Sequence, residues 1–180
     1  MKRTFLLLCA AIALPTAANA QMEDVQIARA VAAAPARLQA DATVITFAED
    51  GSIEVLRQGS NGVMCWDESS ADRFAAHCTS EENRARVEQN HAFNNSGGTP
   101  DEIQAMFDAA ERDGTRAVSG FGTIYDHLMG ADQASARSHM SIVVPFATKE
   151  SLGIPDSRKS DGVWIMDAGT STAHLMVPGR

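Results

Sequence analysis

The chain is poor in cysteine: it has three, and only Cys65 and Cys78 lie beyond the first twenty residues. That scarcity excludes a small disulfide-framework domain and the paired-cysteine motifs of structural zinc sites. Basic clusters are equally scarce. None exceeds two residues, Arg158-Lys159 being one, and 15 Lys+Arg stand against 23 Asp+Glu. Without clustered cations the chain cannot neutralise the phosphate backbone of a nucleic acid, which argues against that partner, and its acidity disfavours docking on anionic lipid. Past Gln21 no apolar run approaches the ~20 residues of a membrane helix, and no repeat or low-complexity tract occurs. Catalytic signatures are missing too: H-E-x-x-H, C-x-x-C, G-x-S-x-G, S-x-x-K and the phosphate-cradling G-x-x-x-x-G-K-[ST] are all absent. Gly120-Phe121-Gly122 lacks the strand-to-helix setting of a dinucleotide site and reads as a turn or bulge.

What is present begins at the N-terminus. Lys2 and Arg3 precede an apolar run from Phe5 to Leu14, then Pro15, then Ala18-Asn19-Ala20. This is the layout of a cleavable export signal, with cleavage expected between Ala20 and Gln21. Cys9 sits inside the apolar run, in the wrong company for a lipoprotein cleavage box. The expectation is a signal peptide over 1–20 and one domain over 21–180, periplasmic or secreted, without a transmembrane segment once the signal is removed. Loss of Lys2 and Arg3 takes the net charge from −8 to −10. A domain of this size buries roughly two-thirds of its unfolded surface.

In an oxidising compartment the surviving pair, Cys65 and Cys78, reads as one disulfide. With twelve residues between them, the bridge is worth about 3 kcal/mol on the chain-entropy account. The rival is a reactive Cys78 assisted by His77; adjacent residues of an extended strand point to opposite sides, which argues against it.

Met22 to Ala34 has a helical pattern that Pro35 stops. Thr43–Phe47 and Ile53–Leu56 flank the Asp50-Gly51 turn signal, and Val63–Trp66 follows a second turn; together they predict a three-strand meander. Thr79-Ser80-Glu81-Glu82 reads as a capping box for a helix to about Phe93, and Thr99-Pro100-Asp101-Glu102 opens another. In the second helix Ile103, Met106, Phe107 and Ala110 form an apolar stripe that Gly114 ends. Strands are expected over 123–129, 140–146, 162–166 and 173–177, with at most one helical turn at 148–152. Strands, then helices, then strands again imply an α+β fold: a mainly antiparallel sheet with an N-terminal helix, a central helical hairpin and one disulfide.

Gly59-Ser60-Asn61-Gly62-Val63-Met64-Cys65, a second cysteine soon after, and the late His174-Leu175-Met176-Val177 together resemble a set of uncharacterised exported bacterial proteins. Those share an (S/T)-N-G-x-x-C motif and a late (A/P)-H-(L/V)-M segment. The resemblance supports the disulfide and the single domain and implies no activity, cofactor or catalytic residue.

Three chemistries remain. His127-Leu128-Met129 and His174-Leu175-Met176 repeat H-L-M within predicted strands, so each copy presents an imidazole and a thioether on one face. If those strands are neighbours, His127, Met129, His174 and Met176 form a soft ligand set suited to copper(I); otherwise no cofactor is expected. His174 with Asp167 and the intervening Thr170, Ser171 and Thr172, or Asp126 beside His127, offers pieces of an envelope hydrolase. The leading reading is a non-enzymatic binding or envelope-associated module with an unidentified extracellular ligand and no assigned catalytic residue. Trp66 and Trp164 are its candidate stacking residues if they stand on an open sheet face.

Overall fold

The computed structural model describes residues 15–158 and 162–179. The basic start and apolar run of the expected export signal lie outside the described residues. Helix α1, Pro15–Ala30, starts earlier than the pattern predicts and runs through the exposed Ala20-Gln21 junction. A 3-10 turn, Val31–Ala33, follows it, and Pro35 then leads into the short α2, Ala36–Gln39.

Among the described residues eight strands make one sheet: β1 Thr43–Phe47, β2 Ile53–Arg57, β3 Val63–Asp67, β4 Phe74–Ser80, β5 Ile124–Gly130, β6 Arg137–Val143, β7 Trp164–Met166 and β8 His174–Pro178. Their spatial order is β2-β1-β3-β4-β5-β6-β8-β7, antiparallel except for the β1–β3 pair. This is the expected α+β architecture.

The predicted meander is corrected: β3 pairs with β1, in parallel, instead of with β2. The reason lies in Gly59-Ser60-Asn61-Gly62. A Cβ on Gly59 would meet Thr43 N at 2.2 Å, so only glycine lets the chain after β2 press against the start of β1. Ser60 N donates to Asp41 O at 2.8 Å, and Asn61 spans Leu38 O and Val63 N. Gly62 takes φ +75° and delivers β3 to the far side of β1. Met64, Cys65 and Trp66 require a strand covered on both faces, and an internal position provides it.

The register sorts the two faces. Val44, Cys65 and Cys78 face α1 and the following turn, packing on Ala30, Val31 and Ala34. Arg29 Nε, 2.7 Å from Asp67 Oδ2, fastens that helix to the end of β3. Ile45, Met64 and Trp66 face the other way, against Val87 of α3, Arg84–Asn94. Cys65 and Cys78 are direct cross-strand partners and form the expected disulfide. His77 points to the opposite face from Cys78, so the thiol–imidazole pair does not form.

Thr79 ends in the β4 ladder opposite Tyr125, so the first cap moves one residue on: Ser80 accepts from Glu82 N. Thr99 forms the full capping box of α4, Pro100–Arg112, as predicted. Phe93 and Phe107, 5.1 Å apart edge to face, join α3 to α4. The last helical turn is α5, Lys149–Leu152.

Candidate functional site

All five histidines of the chain belong to the α3 side of the sheet. Cross-strand pairing runs Trp66–His77–His127–His139 from β3 to β6, and His174 pairs with Val143, four residues along β6 from His139. His91 reaches the same side from α3, stacked on Phe47 at 3.6 Å. His77 Nδ1 and His127 Nδ1 are 2.8 Å apart, and His127 lies stacked on His139 at 4.6 Å. His77 Nε2 lies 3.2 Å from Glu68 Oε2, off the line of a full hydrogen bond. His91 Nδ1 lies 3.8 Å from the other oxygen of that carboxylate. On the far side, His127 Nε2 is 3.2 Å from Ser141 Oγ.

This crowding sets the protonation states. Burial, reinforced by the neighbouring His77, His139 and His174, pushes His127 down to about 3. Burial and His77 lower His139 as well, and burial lowers His91 against the pull of Glu68. Contact with His77 holds the Glu68 carboxyl below its ordinary range although burial opposes it.

Beside the histidines lies a cavity of about 250 Å³. Its floor is Tyr125 and His127 of β5, Ser141 and Val143 of β6 and His174 of β8; its walls are Arg86 and Asn90 of α3, Arg116 and Ser119, and the loop residues Asp167, Ser171 and Thr172. Val143 is the single aliphatic residue named in that lining, and the hydroxyl, imidazole and guanidinium groups around it offer an occupant hydrogen-bond partners beside the Tyr125 and His127 rings. A second cleft, formed with Gln104, Phe107 and Glu111 of α4, shares Asn90, Arg116, Asp167 and Thr172 with it.

The two arginines are the unusual feature. Arg86 is 5% exposed and Arg116 7%. Among the described residues no carboxylate lies within ion-pairing distance of Arg86, whose guanidinium donates to Ala117 O at 2.5 Å. Arg116 donates to the side-chain oxygens of Gln89 and Asn90 and lies over the Phe107 ring at 4.8 Å. Its Nε is buried without a hydrogen-bond partner, and Glu111 stands off at 4.0 Å with one oxygen accepting from Ser171. Burial, then the repulsion of Arg86, lowers Arg116 to about 10, and burial lowers Arg86. Both remain cations at neutral pH. Glu111 favours the charged form of both, but one carboxylate standing 4.0 Å from Arg116 is a partial counter-ion for two buried cations, an arrangement costly enough to need a reason.

Of the four residues proposed for copper, His127 and Met129 lie on β5 and His174 and Met176 on β8. Strand β6 stands between them, so the adjacency that reading requires is not formed. His127 and Met176 instead meet through Ser141, whose Oγ is 3.4 Å from Met176 Sδ. Among the described residues no group of three or more His, Cys, Asp or Glu converges as a metal cage. His174 Nδ1 contacts Thr172 O at 2.8 Å and Asp167 Oδ2 at 3.9 Å, while Asp126 faces away from His127. Trp66 is a 7% exposed core residue, and Trp164 is half-buried beneath Arg158 at 5.5 Å. Neither tryptophan stands on an open stacking face.

Arg86, Arg116, Ser141, Glu68 and Asn90 were not among the residues the sequence brought forward. One signal was available in α3. Its N-cap, Asn83, and its sheet-facing positions Arg86, Val87 and Asn90 offer too few aliphatics to seal a core. Comparison of the chain with protein-family models, curated proteins and solved structures returns no match.

Proposed function

We propose that the protein is an exported binding module that holds a small organic anion between α3 and the sheet. One observation carries this reading: Arg86 and Arg116, both nearly fully buried, turn into a polar cavity without a full carboxylate partner, and Arg116 Nε has no hydrogen-bond acceptor. A bound carboxylate or phosphate supplies what both guanidiniums lack, in the forked geometry that arginine favours. Ser119, Tyr125, Ser171 and Thr172 add hydroxyls for the rest of the ligand. Asp167, more than half exposed at the rim, is screened by solvent and does not cancel the buried charge. The N-terminal export pattern and the cross-strand disulfide support action outside the cytoplasm.

The test is thermal unfolding of the purified protein against succinate, citrate, glucuronate, glycerol phosphate and inorganic phosphate, each compared with chloride at equal ionic strength. A ligand at a hundred times its Kd adds about 2.7 kcal/mol, a rise of roughly 5–11 °C for a domain of this size. The reading expects such a rise with at least one anion and its loss in Arg116→Gln. A melting temperature indifferent to every anion at 10 mM, on the order of a thousand times a tight site's Kd, overturns it.

A further inference from the structure

The hydrogen-bond polarity of the histidine row points past binding. Glu68, an anion, faces His77 Nε2 at 3.2 Å and therefore favours the tautomer with its proton there. His77 Nδ1 is then a lone pair, and it faces His127 Nδ1 at 2.8 Å. Two lone pairs at that distance repel, so His127 Nδ1 carries the proton and donates it. This leaves His127 Nε2 as an acceptor, 3.2 Å from Ser141 Oγ. The reverse polarity sets the His77 lone pair against the Glu68 carboxylate. The other neighbour of the hydroxyl, Met176 Sδ at 3.4 Å, is only a weak acceptor, so the Ser141 proton goes to His127.

We propose that Ser141 is an acyl-accepting nucleophile with His127 as its base, oriented by His77 and Glu68, and that the protein hydrolyses esters bearing a carboxylate or phosphate group. Ser141 and His127 both line the arginine cavity, so the nucleophile opens onto the place where the anion is held. The substrate class rests on the binding reading above; the relay does not. All three relay strands are internal to the sheet, and Ser141 pairs directly with Tyr125 and Met176, which fixes its position. In the reaction Oγ bonds to the acyl carbon while its proton passes to His127 Nε2, and the imidazolium so formed, which burial and the neighbouring histidines disfavour in the resting site, is favoured by the Glu68 carboxylate beyond His77. The ester C–O bond then breaks and the departing alkoxide takes that proton. Water, deprotonated by His127, attacks the acyl-serine, releases the acid and returns the proton to Oγ.

The test is treatment of the purified protein with a fluorophosphonate, which bonds through phosphorus to an activated serine and expels fluoride. The expected result is one adduct per chain, located on Ser141 by peptide mass spectrometry and absent from Ser141→Ala. Labelling should slow at least about tenfold in His127→Gln, since a positioned base is worth on the order of a hundredfold or more. An unmodified Ser141 in the wild-type chain, or an adduct elsewhere, overturns the relay without recourse to any variant. For the substrate class, p-nitrophenyl hemisuccinate should be cleaved faster than the butyrate, with KM raised in Arg86→Met. His77→Ala should lower kcat for the hemisuccinate and leave its KM, the split expected of a positioning residue. Equal rates on both esters with Ser141 labelled overturn the substrate class alone. Labelling of Ser141 in a chain that no anion stabilises overturns the binding reading and leaves the relay standing.

Discussion

At the residue scale, the histidine row couples the site to pH in a direction that can be worked out. In the folded chain His127 stays neutral down to about 3, against an ordinary 6.5. Between those values the unfolded chain binds a proton that the folded chain does not, so stability is complete above pH 6.5 and declines as pH falls toward 3. By pH 4.5 this one group costs roughly 2–3 kcal/mol, and His139 and His91 act in the same sense. The groups facing His127 are His77 from β4, His139 from β6, His174 from β8 and Glu68 after β3. Glu68, whose pKa is lowered, adds stability that is lost as its carboxylate is protonated, below the ordinary 4.5. Urea unfolding at pH 7.0 and 4.5 should therefore show a large loss in wild type and a loss smaller by roughly 2–3 kcal/mol in His127→Gln. Equal losses would show that His127 is not held neutral.

At the scale of the elements, the two faces of the sheet have separate duties. The disulfide closes a thirteen-residue separation on the α1 face, away from the histidines. Its removal in a Cys65→Ala, Cys78→Ala chain should cost about 3 kcal/mol in denaturant unfolding. The same chain, once folded, should keep its anion-induced stabilisation, because neither cysteine touches the cavity. On α4, Thr99→Ala breaks an exposed capping box and should cost about 1 kcal/mol with no effect on anion binding. Elements with a local cause were legible in the sequence: the Thr99 box, the Pro35 stop and the strand expected over 123–129 and found at Ile124–Gly130, whereas the one expected over 140–146 lies three residues earlier, at Arg137–Val143. The β1–β3 pairing was not, because it depends on the non-local approach of Gly59 to Thr43. Missing that pairing alone does not hide the site; the insertion of β6 between β5 and β8 does. It separates the two H-L-M copies and sets Ser141 between His127 and Met176.

At the scale of the whole molecule, a chain of net charge −8 carries an open cavity lined by two buried cations. Bulk acidity gave no hint of this, since composition counts charges without placing them. The histidines were visible as a set of five, but the convergence of the four on strands is a product of register, and a shift by one residue would turn each of those to the other face. Export of the chain from a bacterial host should yield a protein that begins at Gln21, read by N-terminal sequencing; a chain retaining residues 1–20 would contradict the signal reading. The most direct measurement is the thermal unfolding of Arg86→Met with and without the anion that stabilises the wild type. If Arg86 is kept for a ligand, the variant unfolds at the same temperature as the free wild type or above it, and the anion no longer raises that temperature. A free variant that melts well below the wild type while the anion still stabilises it would make Arg86 a structural strut and contradict the account.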